Sequence, residues 1–131
     1  MKTHCLRLHP HADLKKEITK FCIANELKSG CILSAVGSLE CLRLRLASSK
    51  SELVKTENFE VLSLNGTISI DGVHLHLSVA DANGDAWGGH LLDGNLIFTT
   101  CEIVILEITD VLMSREFDPQ TGFKELKLNP L

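Results

Sequence analysis

The chain lacks a basic surplus. Over its 131 residues, 17 Asp and Glu outnumber 13 Lys and Arg, which leaves a net charge of −4 with the histidines neutral. A stand-alone nucleic-acid binder carries a basic balance or a basic cluster, and neither is present here. No apolar run approaches the roughly 20 residues a bilayer span needs, and Arg45 closes the strongest early one. The first residues, Met1-Lys2-Thr3-His4-Cys5, have no apolar centre of the kind a signal peptide requires. A cytoplasmic location and no membrane partner are therefore expected. The five cysteines are odd in number and contain no Cys-x-x-Cys pair, so they read as reduced thiols rather than a disulfide frame or a cysteine-type zinc site. Gly84, Gly88, Gly89 and Gly94 form neither a Gly-x-Gly-x-x-Gly fingerprint nor a P-loop. There is no Gly-x-Ser-x-Gly, no internal repeat and no linker.

What remains is the length of one domain with a real core, and a strand-rich pattern. Thr3 to Leu8 alternates weakly and ends at His9-Pro10. Asp13 is a plausible N-cap for an amphipathic helix running to about Ser29, with Leu14, Ile18, Phe21 and Cys22 at helical spacing and Gly30 as its stop. Cys31 to Val36 and Leu42 to Leu46 read as strands, and the serine-rich stretch Ala47 to Thr56 as an exposed loop. Phe59 to Leu64 and Thr67 to Ile70 are strands, with Asp71-Gly72 a hairpin signal after the second. Ala82 to Gly89 reads as a glycine-rich loop. Further strands follow at Leu91-Leu92, Leu96 to Thr100 and Glu102 to Val111. Ile103 to Leu106 is apolar on both faces, as in a central strand or one covered by a subunit. Asp118 to Gly122 reads as a turn before a short strand, Lys124 to Leu128. One early helix and about seven to nine strands predict an α+β fold, a single domain built on a bent antiparallel sheet with one main amphipathic helix.

The stretch from Asp71 to Asn95 concentrates the chemistry, with three of the six histidines, the only tryptophan and five of the nine glycines. From Val73 to Val79 the odd positions are Val, Leu, Leu and Val, and the even ones are His74, His76 and Ser78. That period of two puts both imidazoles on one polar strand face, about 6.5–7 Å apart at the backbone. Two histidines so placed can share a metal ion, and His90, after Gly88-Gly89, can supply a third nitrogen. Zinc suits three neutral imidazoles with an open fourth position. The plainer reading is surface or interface histidines on the wet face of a strand.

Four further residues are candidates for ligand contact. Arg43 and Arg45 share a strand face and could hold a carboxylate or phosphate near a metal as a fork, or form intersubunit or surface ion pairs, the plainer reading. Glu60 shares the face of Leu62 and Leu64 by parity, so it is expected to be partly buried, as a general acid or base or as a salt-bridge partner. Trp87 stands near His90 in the glycine-rich loop and either lines a pocket or anchors a subunit contact. His4, His9 and His11 read as solvated, although His9 and His11 could approach a neighbouring subunit.

The pattern His-x-His, Asp, Gly-Gly-His-Leu and Gly resembles the PPC (plants and prokaryotes conserved) domain. Val36-Gly37-Ser38-Leu39-Glu40-Cys41-Leu42-Arg43 resembles that family's Gly-Ser-Leu…Leu-Arg segment. Phe59-Glu60-Val61-Leu62-Ser63-Leu64-Asn65-Gly66 resembles its Glu-(apolar)-Leu-Ser-Leu-x-Gly segment. The blocks run in order from about Gly30 to Glu107. The resemblance implies a strongly bent antiparallel sheet with a helix packed on it, assembled as a homotrimer. It also implies a DNA-associated class, since in plants the domain sits beside AT-hook segments. This chain has no Arg-Gly-Arg-Pro hook, so only weak DNA binding is expected. The family shares its fold class with acetolactate decarboxylase, whose zinc also sits on a His-x-His strand plus a later histidine. The other functional reading is therefore a lyase-like zinc enzyme for a small carboxylate or keto acid, with an arginine orienting that anionic ligand.

Overall fold

A computed structural model describes all of residues 1–131. Ten strands and one helix follow in the order β1 (Lys2–Leu8), α1 (Leu14–Ala24), β2 (Ser29–Leu39), β3 (Leu42–Arg45), β4 (Glu52–Lys55), β5 (Phe59–Ser69), β6 (Gly72–Ala80), β7 (Ala86–Leu91), β8 (Ile97–Glu107), β9 (Val111–Asp118) and β10 (Phe123–Pro130). Eight strands form one antiparallel sheet in the order β1-β8-β2-β5-β6-β7-β3-β4, and β9 and β10 form a separate hairpin. The expected antiparallel sheet with one helix is present, but sheet dominates it. The helix has only 11 residues, so the fold is more nearly all-β than a balance of the two.

The helix is shorter than its periodicity suggests. Asp13 caps it as expected, accepting the Lys16 backbone N–H on Oδ1 at 3.1 Å. It ends at Ala24, where the Asn25 side chain donates to the Phe21 carbonyl at 2.8 Å and Glu26 turns the chain at φ +52°. The Leu27 N–H then closes on the Cys22 carbonyl at 2.9 Å. Gly30 is therefore not the helix stop; it lies in β2, where a Cβ would run into the backbone of Leu106 on β8. Leu14, Ile18 and Cys22 of the helix join Leu39, Leu42, Leu44, Ile68, Leu75, Leu77, Val79, Ile103 and Ile105 in one core.

Several strand boundaries move for one reason: pairing extends or divides runs that look separate by local pattern. The expected loop from Ala47 to Thr56 contains β4, held as an edge strand by β3. Phe59 to Leu64 and Thr67 to Ile70 merge into the single strand β5, which runs unbroken through Gly66, whose φ is +149° and where a side chain would strike the His74 carbonyl. The apolar run after Cys101 stops at Glu107, and β9 starts anew at Val111. β8 is interior to the sheet, between β1 and β2, as its two-sided apolar pattern suggests. The Asp71-Gly72 hairpin and the Asp118 to Gly122 turn both form, the latter with the Gly122 N–H on the Asp118 carbonyl at 2.8 Å. All five cysteines are free, with Cys22 and Cys101 buried. No helix is long and apolar enough to cross a membrane.

Candidate metal centre

The alternation of β6 buries Leu75, Leu77 and Val79 and turns His74 and His76 to the opposite face. His90 arrives by a different route from the one its neighbours suggest. Gly88 and Gly89 are not a flexible loop; both lie in β7, and so does His90. A Cβ on Gly89 would sit 2.7 Å from the Arg45 carbonyl oxygen and 3.2 Å from the Leu44 Cβ. The glycine is therefore what lets β3 lie close against β7. Pairing then sets His90 directly opposite His76, and Arg45 directly opposite His90 on the other side. On the far side of β6, Asn65 is opposite His76 and Thr67 is opposite His74. The result is a row across four strands, Asn65, His76, His90 and Arg45, with His74 and Thr67 in the next row.

The three imidazoles form one cluster. Ring centroids are 5.1 Å apart for His74 and His76, 5.2 Å for His74 and His90, and 5.7 Å for His76 and His90. One nitrogen from each lies within 4.8 Å of the other two. A tetrahedral zinc ion with bonds of about 2.0–2.1 Å sets its ligand nitrogens about 3.3 Å apart, a spacing small ring rotations reach from here. Nδ1 of His90 is buried without any hydrogen-bond partner. A buried nitrogen left so costs roughly 1–3 kcal/mol, and a cation is one partner able to satisfy it. The electrostatics favour neutral ligands. Burial, then the charges of Arg45 and the other two histidines, pushes His90 down to about 4. His74 is lowered as well, chiefly by burial and next by Arg115. Neutral imidazole is the form that binds metal.

Two openings flank the cluster. One, of about 200 Å³, is lined by Asn65, Gly66, Thr67, His74 and His76. The other, of about 540 Å³, is walled by Arg45, His74 and His90 of the sheet and by Arg115, Phe123, Lys124 and Glu125 of the β9–β10 hairpin.

The other candidates separate. Arg43 shares the outward face with Arg45, but its Nε donates to Glu52 at 2.6 Å, and Asn95 brackets its backbone N–H and carbonyl at 2.8 Å each. Trp87 pairs with Val79 and packs against the core, on the face of β7 opposite His90. Its indole N–H donates to Asp81 Oδ2 at 3.1 Å, and Lys55 stands 4.0 Å above its ring. Glu60 is exposed beside Ala80, away from the histidines; a bulge between Val61 and Ser63 breaks the parity that would have grouped it with Leu64. His4 and His11 meet Glu107 and Glu40, each at 2.7 Å, rather than only solvent. Sequence reasoning missed Arg115, Thr67 and Lys124 altogether. Arg115 has no local motif to mark it; its Nη2 reaches the Thr67 hydroxyl at 3.0 Å only because the hairpin docks there, with its backbone N–H on Asp71 Oδ2 at 2.7 Å.

The profile of the Plants and Prokaryotes Conserved (PCC) domain matches residues 1–109. Among curated proteins, the Bifunctional protein GlmU of Synechococcus sp. (strain JA-2-3B'a(2-13)) is 47% identical over 131 residues. That alignment takes in 100% of this chain but only 21% of the relative, so the chain spans about a fifth of the curated relatives it matches. Three solved structures are similar. A hypothetical protein from Salmonella enterica is 36% identical with a TM-score of 0.96, covering 98% of this chain and 94% of that one. A candidate DNA-binding protein from Bacteroides thetaiotaomicron is 25% identical with a TM-score of 0.86, covering 95% and 91%. A metal-containing protein from Archaeoglobus fulgidus is 28% identical with a TM-score of 0.82, covering 95% and 92%.

Proposed function

The chain belongs to the Plants and Prokaryotes Conserved domain family, and from that premise we propose that it is a homotrimeric member holding one zinc ion on His74, His76 and His90. The observation that carries the metal reading is the unpartnered, buried Nδ1 of His90 within a cluster of three imidazoles. The donor set is all nitrogen and uncharged, which suits zinc with an open fourth position. The ion's charge is then left uncompensated by its ligands, so an anion or hydroxide belongs in that fourth position. The Archaeoglobus relative is described as containing a metal, which supports the same assignment. Outward apolar side chains, Leu33 at 53%, Val36 at 56% and Phe98 at 41% exposure, supply surface for the trimer that the family resemblance implies. Five free thiols suit a reducing, cytoplasmic compartment.

A DNA-binding role comes from the resemblance and from the name of the Bacteroides relative. With a net charge of −4, contact with DNA is weak in this reading. A second reading, a lyase-like zinc enzyme acting on a small carboxylate or keto acid, is favoured by Arg45, which stands next to His90 and has no carboxylate partner. Bound zinc would polarise a substrate oxygen or activate a water, and Arg45 would orient the anionic group.

Metal analysis after zinc loading and exhaustive dialysis tests the proposal. The wild-type protein should retain about one zinc per chain, and His76→Ala should lose it with an unchanged circular dichroism spectrum, because the core face of β6 is untouched. Full retention by the variant, or none by the wild type, rejects the site.

A further inference from the structure

The cleft beside the histidines carries a second, distinct chemistry. Arg45 enters it from β3 through the β3–β7 register, adjacent to His90. Arg115 enters from β9, held by the Thr67 hydroxyl, and Thr67 is opposite His74. The two guanidiniums thus reach the imidazole cluster from different elements. Lys124 lines the same cleft. None of the seven ion pairs in the molecule involves any of these three cations. Two carboxylates also line the cleft, Asp71, which accepts the Arg115 backbone N–H, and Glu125, which accepts the Thr121 hydroxyl at 2.9 Å, so the three cations leave the lining net positive. A partly enclosed cleft with three unpaired cations is an anion site, and a guanidinium fork matches a carboxylate with two parallel hydrogen bonds.

We propose that this cleft binds a small dicarboxylate, one end held by Arg45 beside His90 and the other by Arg115. Two guanidiniums entering from separate elements can each take one carboxylate of a dicarboxylate on a short carbon frame, and a single tetrahedral anion bridging both is the competing occupant that the titration separates. The idea builds on the metal reading, since a zinc ion at the histidines would share the end nearest Arg45, but the arginine geometry stands without it. Arg115 and Lys124 lie beyond residue 109, where the family match stops.

Calorimetric titration of the full chain, zinc-loaded and metal-free, with malonate, succinate, acetate and inorganic phosphate tests this. A dicarboxylate should bind about tenfold or more tightly than acetate and more tightly than phosphate. Arg45→Gln and Arg115→Gln should each weaken it by about tenfold or more without changing zinc content. Arg115→Lys, which keeps the charge but not the fork, should recover only part of the loss. Arg7→Gln, on β1 and bonded to Thr100, should bind as the wild type does. Equal affinity for acetate and the dicarboxylates overturns the proposal, as does tighter binding of phosphate or an Arg115→Gln variant indistinguishable from wild type. If the wild type retains no zinc after loading yet still binds dicarboxylate through both arginines, the metal reading alone fails.

Discussion

His76 and His90 face each other across the β6–β7 ladder, directly paired, with their ring centroids 5.7 Å apart. Fourteen positions separate them in the chain, yet on the sheet they are nearest neighbours, the spacing at which cross-strand side chains interact. His74, on the same face of β6, completes the triangle from within one strand. The cluster is therefore a property of strand register, and its rigidity is that of the sheet. A site so mounted needs little ordering when an ion enters.

The register depends on Gly89. Alanine there would push its methyl to 2.7 Å from the Arg45 carbonyl and force β3 and β7 apart. Gly89→Ala should lose about 1–3 kcal/mol of stability, read as a lower denaturant midpoint at an unchanged slope. It should also weaken zinc retention, because β7 carries His90. Gly88→Ala, whose nearest neighbour would be the Leu77 carbonyl at 3.3 Å, should be milder on both measures.

Trp87, the only tryptophan, reports on Asp81. Its indole N–H is the main cause holding the Asp81 carboxyl below the ordinary 3.8, with the backbone N–H groups of Asn83 and Asp85 adding to it. A carboxylate favoured in the folded state contributes its stability in full above that ordinary value and loses it as pH falls through the lowered one. Tryptophan fluorescence should therefore hold steady down to about pH 4 and change only below it. Asp81→Asn should abolish that acid step; a step persisting unchanged in the variant would assign it to another group.

Assembly should show in sedimentation velocity at micromolar concentration as a species of three times the 14.4 kDa chain mass. Val36→Glu places a charge on an outward apolar site and should shift the protein towards monomer without unfolding it. A wild-type monomer would remove the trimer from the account.

Contact with DNA should be weak and strongly salt-dependent, since phosphate neutralisation by cations supplies most non-specific affinity and this chain has few to spare. Fluorescence anisotropy with a labelled duplex should show binding at low salt that disappears by about 150–200 mM. A tight complex surviving that range would restore DNA as the principal partner.

Local chemistry made part of this protein legible from its residues alone. The period-two alternation of Val73 to Val79 was enough to put His74 and His76 together on one outer face, because side-chain direction along a strand needs no partner. Asp13 as a helix cap, the Asp71-Gly72 hairpin and the Asp118 to Gly122 turn are equally local, resting on short hydrogen bonds and permissive backbone. The helix end was not, because Asn25 and Glu26 turn the chain before the glycine that looked like its stop. The tertiary structure alone decided the rest. Whether His90 belonged to a loop or a strand depended on β3 closing against Gly89, and that closure also brought Arg45 alongside. The bulge after Val61 reversed the parity that would have buried Glu60, and Trp87 turned to the core while its neighbours turned out. Arg115 joined the site through a hairpin docked onto Asp71 and Thr67, 44 and 48 positions away. Periodicity carries the direction of a side chain, but register and docking are set by contacts between distant segments, and those exist only once the chain has folded.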